Sequence, residues 1–489
     1  MKNIVLSILF CFVFIICKCQ SKLGNEWVSG AGGQRIGFES GGVTTHKPLF
    51  FVGYFSAGNS NICDTSGKLI LASDGYNVFD SAGNYLTEGD TLIYKNYYVA
   101  HNGFSLLSQN SIFLPIDSDK YYFINATMSD ARYADCQANN NCYFDLLLYN
   151  VIDMKANGGA GKVIQRMIPL MQNANLRKTQ MMACRHGNGK DWWLLKQEGD
   201  NADAHTFLFT QDSVFDKGVQ VFNAPVWGAW DIRGQSTFNG DGSKYATTSH
   251  GSSSGLIFLA DFDRCYGKLS NPLVLEMPIG SAHNPSDTTQ TEHLSVGLSY
   301  SPNGKLLYVI SRANVYQYDL QDSTWFHVAG LDTSYAAVQF YETAYLGPDN
   351  KIYIGNFGGL SKQMSRIDNP DVKGVGCNFC PRCLRMDSLA GMFSLGTPPC
   401  MPNYGLGEKV CYPDATTNIE NKENKMLVLP NPSSQILYIK NLNKEKKELY
   451  NSIGQMIYST ILNEIDISNY SKGIYYLRCG IQTKKIIIE

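Results

Sequence analysis

The clearest hydrophobic pattern of the chain begins at Leu294. Over Leu294–Tyr300 the hydrophobic residues alternate with Ser and Gly, which is the period of a half-buried β-strand. Ser301–Lys305 then predicts a tight turn, because its Asn-Gly pair tolerates positive φ. Leu306–Ser311 and Val315–Leu320 predict two further strands. The stretch therefore predicts an antiparallel meander.

The same turn-centred unit recurs between about residues 24 and 412. Each turn is followed by a strand such as LILAS, YYFINA or KIYIGN, and repeats of about four strands are typical of a β-propeller. A seventh blade would come from Pro48–Tyr54 pairing with residues near Asn403–Val410. The sequence thus predicts an all-β fold with a six- to seven-bladed propeller, and an array of β-sandwiches is the alternative. The six turns start at Asp64, Asp117, His186, Asn239, Ser301 and Gly347.

Changes of pattern along the chain predict its domains. Residues 1–19 have a charged start, a short apolar core and small residues before Gln20, as in a secretory signal peptide. The β-propeller is expected over 20–414. Residues 415–424 are polar and lack aromatics, which predicts a linker. Short alternating strands over 425–489 predict a small Ig-like β-sandwich.

Composition narrows the function classes. The net charge is −2, which gives no electrostatic reason to expect nucleic acid or an anionic membrane as a partner. Aromatic residues make up 12% and charged residues 17% of the chain, with 45 Gly, a mix that suits short strands and turns. After the N-terminus no run is apolar enough for a membrane span.

The cysteines are candidates for disulfides, because an exported chain meets an oxidising environment. Cys136 with Cys142, and Cys400 with Cys411, are spaced as local bridges. The run Cys377-x-x-Cys380-x-x-Cys383 has zinc-like spacing, but disulfides are the expected fate in an exported protein.

Other candidate sites are interpreted as structural. His186, His205, His250, His283 and His293 are scattered, so a metal trio is the less favoured interpretation. Two Asp-x-Asp pairs, at Asp117/Asp119 and Asp261/Asp263, make calcium the one cofactor worth testing, although such residues also serve turns. The aromatic candidates for sugar stacking are Trp192, Trp193, Trp227, Trp230, Tyr97 and Tyr98. The sequence contains no H-E-x-x-H motif and no phosphate loop, and no catalytic residue is assigned.

The C-terminal segment contains, in order, Leu-Pro-Asn-Pro, Leu-Tyr-Asn-Ser-Ile-Gly-Gln, Gly-Ile-Tyr-Tyr and a closing Lys-Lys-Ile. In these motifs it resembles the type A C-terminal sorting domain of type IX secretion in Bacteroidetes. The resemblance implies passage through the periplasm and across the outer membrane by the type IX machinery, and then release or attachment at the cell surface. The residues of this sorting signal are Pro430, Asn431, Pro432, Gly454, Gln455, Gly473, Tyr475, Lys484 and Lys485.

The propeller segment resembles large secreted propellers that precede such domains. The resemblance concerns blade design and carries no activity. We therefore expect a secreted or surface-displayed binding or adhesion protein, with a glycan or protein ligand at the propeller face. The alternatives are a polysaccharide lyase or hydrolase on the same scaffold, and a structural component of the surface or gliding apparatus.

Overall fold

The structure is a computed structural model in which the chain divides into two compact units, Met1–Val410 and Cys411–Glu489. It describes residues 21–39, 42–46, 52–199, 201–222, 224, 233–249, 256–278, 295–331, 340–357, 363–385, 397–411, 427–429, 431–440, 446–479 and 482–489. The expected signal peptide and linker lie outside these residues. Among the described residues no helix is both long and apolar enough to cross a membrane.

In its described residues, the first part of the first unit contains eleven strands, which form three sheets, and two short helices. The first sheet has the order β3-β2-β1-β4, the second β5-β6-β7 and the third β11-β10-β9-β8. Their bounds are β1 Glu26–Ala31, β2 Gln34–Glu39, β3 Gly42–His46, β4 Tyr54–Phe55, β5 Ser60–Cys63, β6 Leu69–Ser73, β7 Val78–Asp80, α1 Lys95–Ala100, β8 Ser111–Pro115, β9 Lys120–Thr127, α2 Asp130–Asn139, β10 Leu146–Asp153 and β11 Lys162–Met171.

Four sheets of four sequential strands follow, each an antiparallel meander. A 3₁₀ turn at Asn157–Gly159 precedes β11, and another at Gly374–Cys377 precedes the last strand of the series. The strands are β12 Leu176–Arg185, β13 Trp192–Glu198, β14 Asp203–Phe209, β15 Val214–Gln220, β16 Gly234–Phe238, β17 Lys244–Ser249, β18 Leu256–Asp263, β19 Lys268–Glu276, β20 Ser295–Tyr300, β21 Leu306–Ser311, β22 Asn314–Asp319, β23 Thr324–Gly330, β24 Phe340–Leu346, β25 Ile352–Phe357, β26 Gln363–Ile367 and β27 Phe379–Arg385.

The six predicted turns are confirmed, since each joins the first two strands of a sheet. Hydrogen bonds between residues of the same turn help to close them. In the first of them Asp64 Oδ1 accepts the backbone N–H groups of Ser66 at 2.8 Å and Lys68 at 3.0 Å, and Gly67 supplies a φ of 95°. A short acceptor side chain and a glycine at these positions close the hairpin without help from the rest of the fold.

Consecutive sheets of the described residues pack side by side. The hydroxyls of Ser60 and Ser111 lie 2.8 Å apart between the second and third sheets, and buried hydrophobic clusters contain residues of neighbouring sheets at other junctions. The first sheet also meets the last, because the Trp27 and Tyr353 rings lie edge to face with centroids 5.2 Å apart. The described residues therefore supply seven sheets arranged around a ring, which is a β-propeller.

The sheet that completes this ring differs from the expected one. It is built by β1, β2 and β3 within residues 26–46, with Tyr54–Phe55 added at its edge. Residues 47–51 lie outside the described part, and Asn403–Val410 forms no strand. The prediction of paired terminal strands at those two places was therefore wrong, although N-terminal residues do complete the ring.

The second unit is a small two-sheet β-structure with its own core. One sheet has the order β28-β29-β32 and the other β31-β30-β33-β34. Leu437, Leu449, Leu477 and Ile486 are fully buried in this core. The strands are β28 Leu427–Leu429, β29 Ile436–Lys440, β30 Lys447–Tyr450, β31 Met456–Thr460, β32 Glu464–Asp466, β33 Gly473–Cys479 and β34 Gln482–Ile488.

Candidate functional site: a cavity at the turn end of the ring

A cavity of about 270 Å³ lies where the first strands of four consecutive sheets end. Corresponding positions of the repeat line it, namely the ends of β12, β16, β20 and β24 with the turns that follow three of them. We call this side the turn end of the ring. Trp27 of the first sheet and the segment Pro399–Leu406 complete the wall.

No acidic, basic or histidine side chain belongs to the cavity lining in the described part of the chain. The wall combines aromatic rings with amide and hydroxyl groups. Its aromatic members are Trp27, Phe238, Tyr300, Tyr345 and Tyr404, and its amide and hydroxyl members are Ser21, Thr237, Asn239, Ser299, Asn350 and Asn403.

The titratable groups that do line the cavity are held neutral. Burial raises the pKa of the Tyr300, Tyr345 and Tyr404 hydroxyls above the ordinary tyrosine value. Burial also raises the pKa of the Cys184 thiol to about 12. Because all four groups stay protonated near neutral pH, none of them can act there as a general base or as a charged nucleophile.

An irregular segment, residues 397–410, crosses the turn end and forms one wall of the cavity. We call it the closing segment. Its backbone is tied to several sheets, since the Cys400 N–H donates to the Asn59 carbonyl at 2.9 Å and the Lys409 N–H donates to the Gly187 carbonyl at 2.7 Å. The Asn403 amide donates to the Gly240 carbonyl at 3.0 Å. These bonds hold a segment that has no strand partner, and they satisfy backbone groups that no sheet would otherwise pair.

Arg264 joins the closing segment to the hairpin that starts at His186. Its Nε donates to the Arg185 carbonyl at 2.8 Å and its Nη2 to the Gly407 carbonyl at 2.6 Å. Longer bonds of 3.4 Å reach the carbonyls of Asp241 and His186. The side chain is almost fully buried, at 5% exposure. A planar guanidinium with several fixed donors suits this crowded group of carbonyls better than an ammonium would.

A second polar cluster lies inside the ring, at Glu342. Its carboxylate is 3.9 Å from Arg233 Nε and accepts a 3.5 Å hydrogen bond from Thr397. Burial raises the pKa of Glu342, whereas burial and the nearby Arg233 lower the pKa of Arg312. Residues 225–232, 332–339 and 386–396, which adjoin this cluster in sequence, lie outside the described part.

The structure separates the candidate cysteines. Cys136 and Cys142 form a disulfide with a sulfur separation of 1.98 Å. Cys411 is disulfide-bonded, and so is Cys265, which the sequence gave no reason to select. Cys377, Cys380, Cys383 and Cys400 are free thiols. The expected bridge between Cys400 and Cys411 is therefore absent, because Cys400 points into the core, where burial raises its pKa to about 12.

His186 and His205 make structural contacts. His186 Nε2 lies 3.0 Å from the Cys265 carbonyl, and His205 lies between the carboxylates of Glu198 at 2.9 Å and Asp216 at 2.7 Å. His250, His283 and His293 are outside the described residues. Within the described ranges no group of three His, Cys, Asp or Glu side chains is arranged to hold a metal ion.

The Asp-x-Asp pairs are engaged by protein groups. Asp117 Oδ1 accepts the N–H groups of Asp119 and Lys120, both at 2.8 Å, and Asp261 pairs with Lys244 at 2.8 Å. Asp263 Oδ1 accepts the Cys265 N–H at 2.8 Å. These contacts are those of ordinary turns and strand edges. Calcium binding stays a prediction to be tested.

The candidate stacking aromatics do not form a surface. Trp192 and Trp193 are buried, and their indole N–H groups donate to the carbonyls of Pro115 at 3.2 Å and Arg264 at 2.7 Å. Tyr97 is buried and Tyr98 is half-buried. Trp227 and Trp230 lie outside the described residues. The aromatic rings that do surround a cavity are instead dispersed along the sequence, so no local motif could have marked them.

The described sorting-signal residues of the second unit lie in turns and in the strands β33 and β34. The Asn431 side chain donates to the Lys485 carbonyl at 2.8 Å and accepts the Ile487 N–H at 2.9 Å. Gly454, with φ of 79°, and Gln455 belong to the turn before β31. Gly473 is the first residue of β33, and the Tyr475 hydroxyl of the same strand donates to the Ser471 carbonyl at 2.8 Å. Lys484 and Lys485 lie in β34. Pro432 follows Asn431, and Pro430 is outside the described residues.

The chain is distantly similar to several solved structures. The chain is similar to the Swd1 β-propeller domain of Myceliophteria thermophila, with 10% identity and a TM-score of 0.29 over 71% of this chain and 94% of that one. It is similar to a periplasmic gluconolactonase of Pseudomonas aeruginosa, with 9% identity and a TM-score of 0.35 over 95% and 99% of the two chains. A putative 6-phosphogluconolactonase from Bacteroides uniformis has 13% identity and a TM-score of 0.31 over 78% and 90%.

Comparison with protein families concerns the second unit. No curated protein matches the chain. Residues 427–489 match the family described as the secretion system C-terminal sorting domain. This range contains the strands β28 to β34 and the sorting-signal residues from Asn431 to Lys485. The chain is therefore a β-propeller protein that carries a type IX secretion C-terminal sorting domain.

Proposed function

We propose that the propeller is a binding module, displayed or released outside the cell, which captures a small neutral ligand in the cavity at the turn end. The observation that carries this proposal is the lining, in which the described residues provide no charged side chain and every titratable group is held neutral by burial. A hydrolase or lyase needs at least one group able to exchange a proton near the working pH. Among the described residues, the lining offers no group that is ionised near neutral pH.

The lining also favours a class of ligand. Phe238 is the half-buried aromatic residue of the lining and can contact the apolar face of a sugar ring, and amide and hydroxyl groups satisfy sugar hydroxyls without a formal charge. An acidic sugar would lose its hydration in this cavity without gaining a cationic partner, which costs several kcal/mol. The proposed ligand is therefore a neutral carbohydrate, such as an end or a short segment of an uncharged polysaccharide.

The test is binding of the full mature chain to a panel of neutral and acidic polysaccharides, with calcium and with a chelator. We expect retention by one or more neutral polysaccharides and none by polygalacturonate. Mass spectrometry of the bound material should find intact ligand. Shortened products would contradict the binding proposal and favour an enzyme. Binding that needs calcium would contradict a site in this cavity and favour one at the Asp-x-Asp pairs.

A matched pair of variants locates the site. Met401 lines the cavity and is half-buried, so Met401→Trp should occlude it and weaken binding by about tenfold or more, the equivalent of about 1.4 kcal/mol. Val410 also belongs to the closing segment but is 71% exposed and outside the lining. Val410→Trp should bind as the wild type does. Equal loss in both variants, or in neither, would contradict binding in this cavity.

A further inference from the structure

The last strand of the ring, β27, contains a bulge that brings two cysteines together. Arg366 of β26 pairs with Cys380 of β27, and Met364 pairs with Leu384. The two pairs are two residues apart on β26 but four residues apart on β27, so β27 has two extra residues over the same length. Two residues of an extended strand cover about 6.6 Å. Cys380 and Cys383 would be about 10 Å apart in a regular strand. The bulge compresses them towards the Cα separation of about 4.4–6.8 Å that disulfides span.

The bulge is a defined part of the structure. Arg382 has a left-handed φ of 54°, and its backbone N–H donates to the buried Ser365 hydroxyl at 3.1 Å. The thiols of Cys380 and Cys383 are within hydrogen-bond reach of each other. Cys383 is exposed and Cys380 is half-buried, so a solution reagent can reach the pair.

The remaining cysteine of this run, Cys377, is buried and does not belong to the pair. Cys377 lies in the 3₁₀ turn before β27, is 0% exposed, and its thiol contacts the Tyr308 hydroxyl. The run with zinc-like spacing therefore consists of one buried thiol, Cys377, and a more accessible pair of thiols, Cys380 and Cys383. Two thiols with a bulge between them are suited to closing a small disulfide ring.

We propose that Cys380 and Cys383 are a reversible redox pair that closes to a disulfide when the protein meets a disulfide oxidant outside the cell. The thiolate of one cysteine attacks a sulfur of the oxidant and displaces one thiol, which leaves a mixed disulfide. The second cysteine then attacks the protein sulfur of that bond and releases the second thiol. Two electrons and two protons pass from the pair to the oxidant, which is reduced to two thiols.

The test uses the full chain treated with oxidised glutathione and then with an alkylating reagent. Trypsin cuts after Arg382, between the two cysteines, so the disulfide would hold together two peptides that otherwise separate. We expect the peptide ending at Arg382 to remain linked to Cys383-Leu384-Arg385 until a reductant is added, with the fragment spectrum placing the bond on Cys380. Partial burial and the adjoining Cys380 thiol raise the pKa of Cys383 to about 12, so closure should accelerate as the pH is raised.

Controls within the same molecule make the result decisive. The Cys136–Cys142 disulfide shows that oxidising conditions are maintained, and the buried thiol of Cys184 should stay reduced. Cys383→Ser should stop at a glutathione adduct on Cys380. Separate peptides with both cysteines alkylated, a glutathione adduct as the end product in the wild type, or a bond from Cys383 to Cys377 would each overturn the proposal.

Discussion

The hydroxyl of Tyr404 donates a 2.9 Å hydrogen bond to the carbonyl oxygen of Phe113. Tyr404 is in the closing segment and Phe113 is in β8, so the bond joins parts of the chain that are 291 residues apart. The Tyr404 ring also lies edge-on to Trp192, with centroids 5.8 Å apart. This single residue therefore forms part of the cavity wall and fixes the segment that encloses it.

Tyr404→Phe should lower the free energy of unfolding of the propeller by about 1 kcal/mol, because it removes one buried hydrogen bond and keeps the ring. Tyr404→Ala should cost about 3–5 kcal/mol. Urea unfolding followed by tryptophan fluorescence measures this, since all 6 tryptophans precede residue 411. Tyr94→Phe, at a 36% exposed tyrosine, is the control and should stay within about 0.5 kcal/mol of the wild type.

Replacing Arg264 tests how the closing segment is held. Arg264→Lys keeps the charge but cannot reach the carbonyls of Arg185 and Gly407 together, so we expect a loss of about 2–4 kcal/mol. Amide hydrogen exchange should quicken at Lys409, whose N–H bonds to Gly187, while β21 keeps its protection.

The comparison for this variant is Arg166→Lys, because Arg166 pairs with Glu88 in an exposed setting. Surface pairs contribute little, so its effect should stay below about 1 kcal/mol. A change at Arg264 no larger than this would mean that the closing segment is held by its other bonds.

The turns were predictable because their chemistry is contained in a few adjacent residues. Asp64 and Gly67 close their hairpin through local bonds, and the Asp117 carboxylate likewise accepts two N–H groups of its own turn. The first sheet also has a local signal in the sequence. Gly30, Gly32 and Gly33 all have positive φ at the hairpin between β1 and β2, and the flanking residues are strand formers.

The cavity and the closing segment were not predictable in the same way. Residues 397–410 have no strand period, and they are held by bonds to Asn59, Phe113, Gly187 and Gly240, which come from several different sheets. Such contacts exist only after the ring has formed. The disulfide-bonded state of Cys265 is likewise invisible in its local sequence.

The Asn431 side chain offers a test of the sorting domain. It bonds to both Lys485 and Ile487 of β34, and Asn431→Ala should destabilise this unit by about 1–2 kcal/mol. We expect a smaller fraction of the chain outside the cell and a larger fraction retained in the periplasm, measured by immunoblot. Ser459→Ala, at an exposed residue of β31, should export normally. Unchanged export in the Asn431 variant would show that these bonds are not needed for sorting.

Asp74 gives the propeller a defined pH dependence. Its side chain is 2% exposed, and burial raises its pKa to about 7, despite hydrogen bonds from Asn77 and from the Tyr76 N–H that favour the ionised form. In the unfolded chain an aspartate ionises near pH 3.9. Between these two values the folded state holds a proton that the unfolded state has lost, so stability falls as the pH rises.

Asp74→Asn removes the titrating group, so comparison with the wild type shows whether Asp74 raises or lowers the free energy of unfolding as the pH rises. The free energy of unfolding of the wild type, relative to the variant, should fall by about 1.4 kcal/mol for each pH unit across the window from about pH 4 to 7, and by roughly 4 kcal/mol in total. Below and above that window the difference should be constant. Urea titrations at several pH values, read by tryptophan fluorescence, measure it. A difference that is flat with pH, or that grows in favour of the wild type, would mean that Asp74 is ionised throughout and that its hydrogen bonds outweigh the cost of burial.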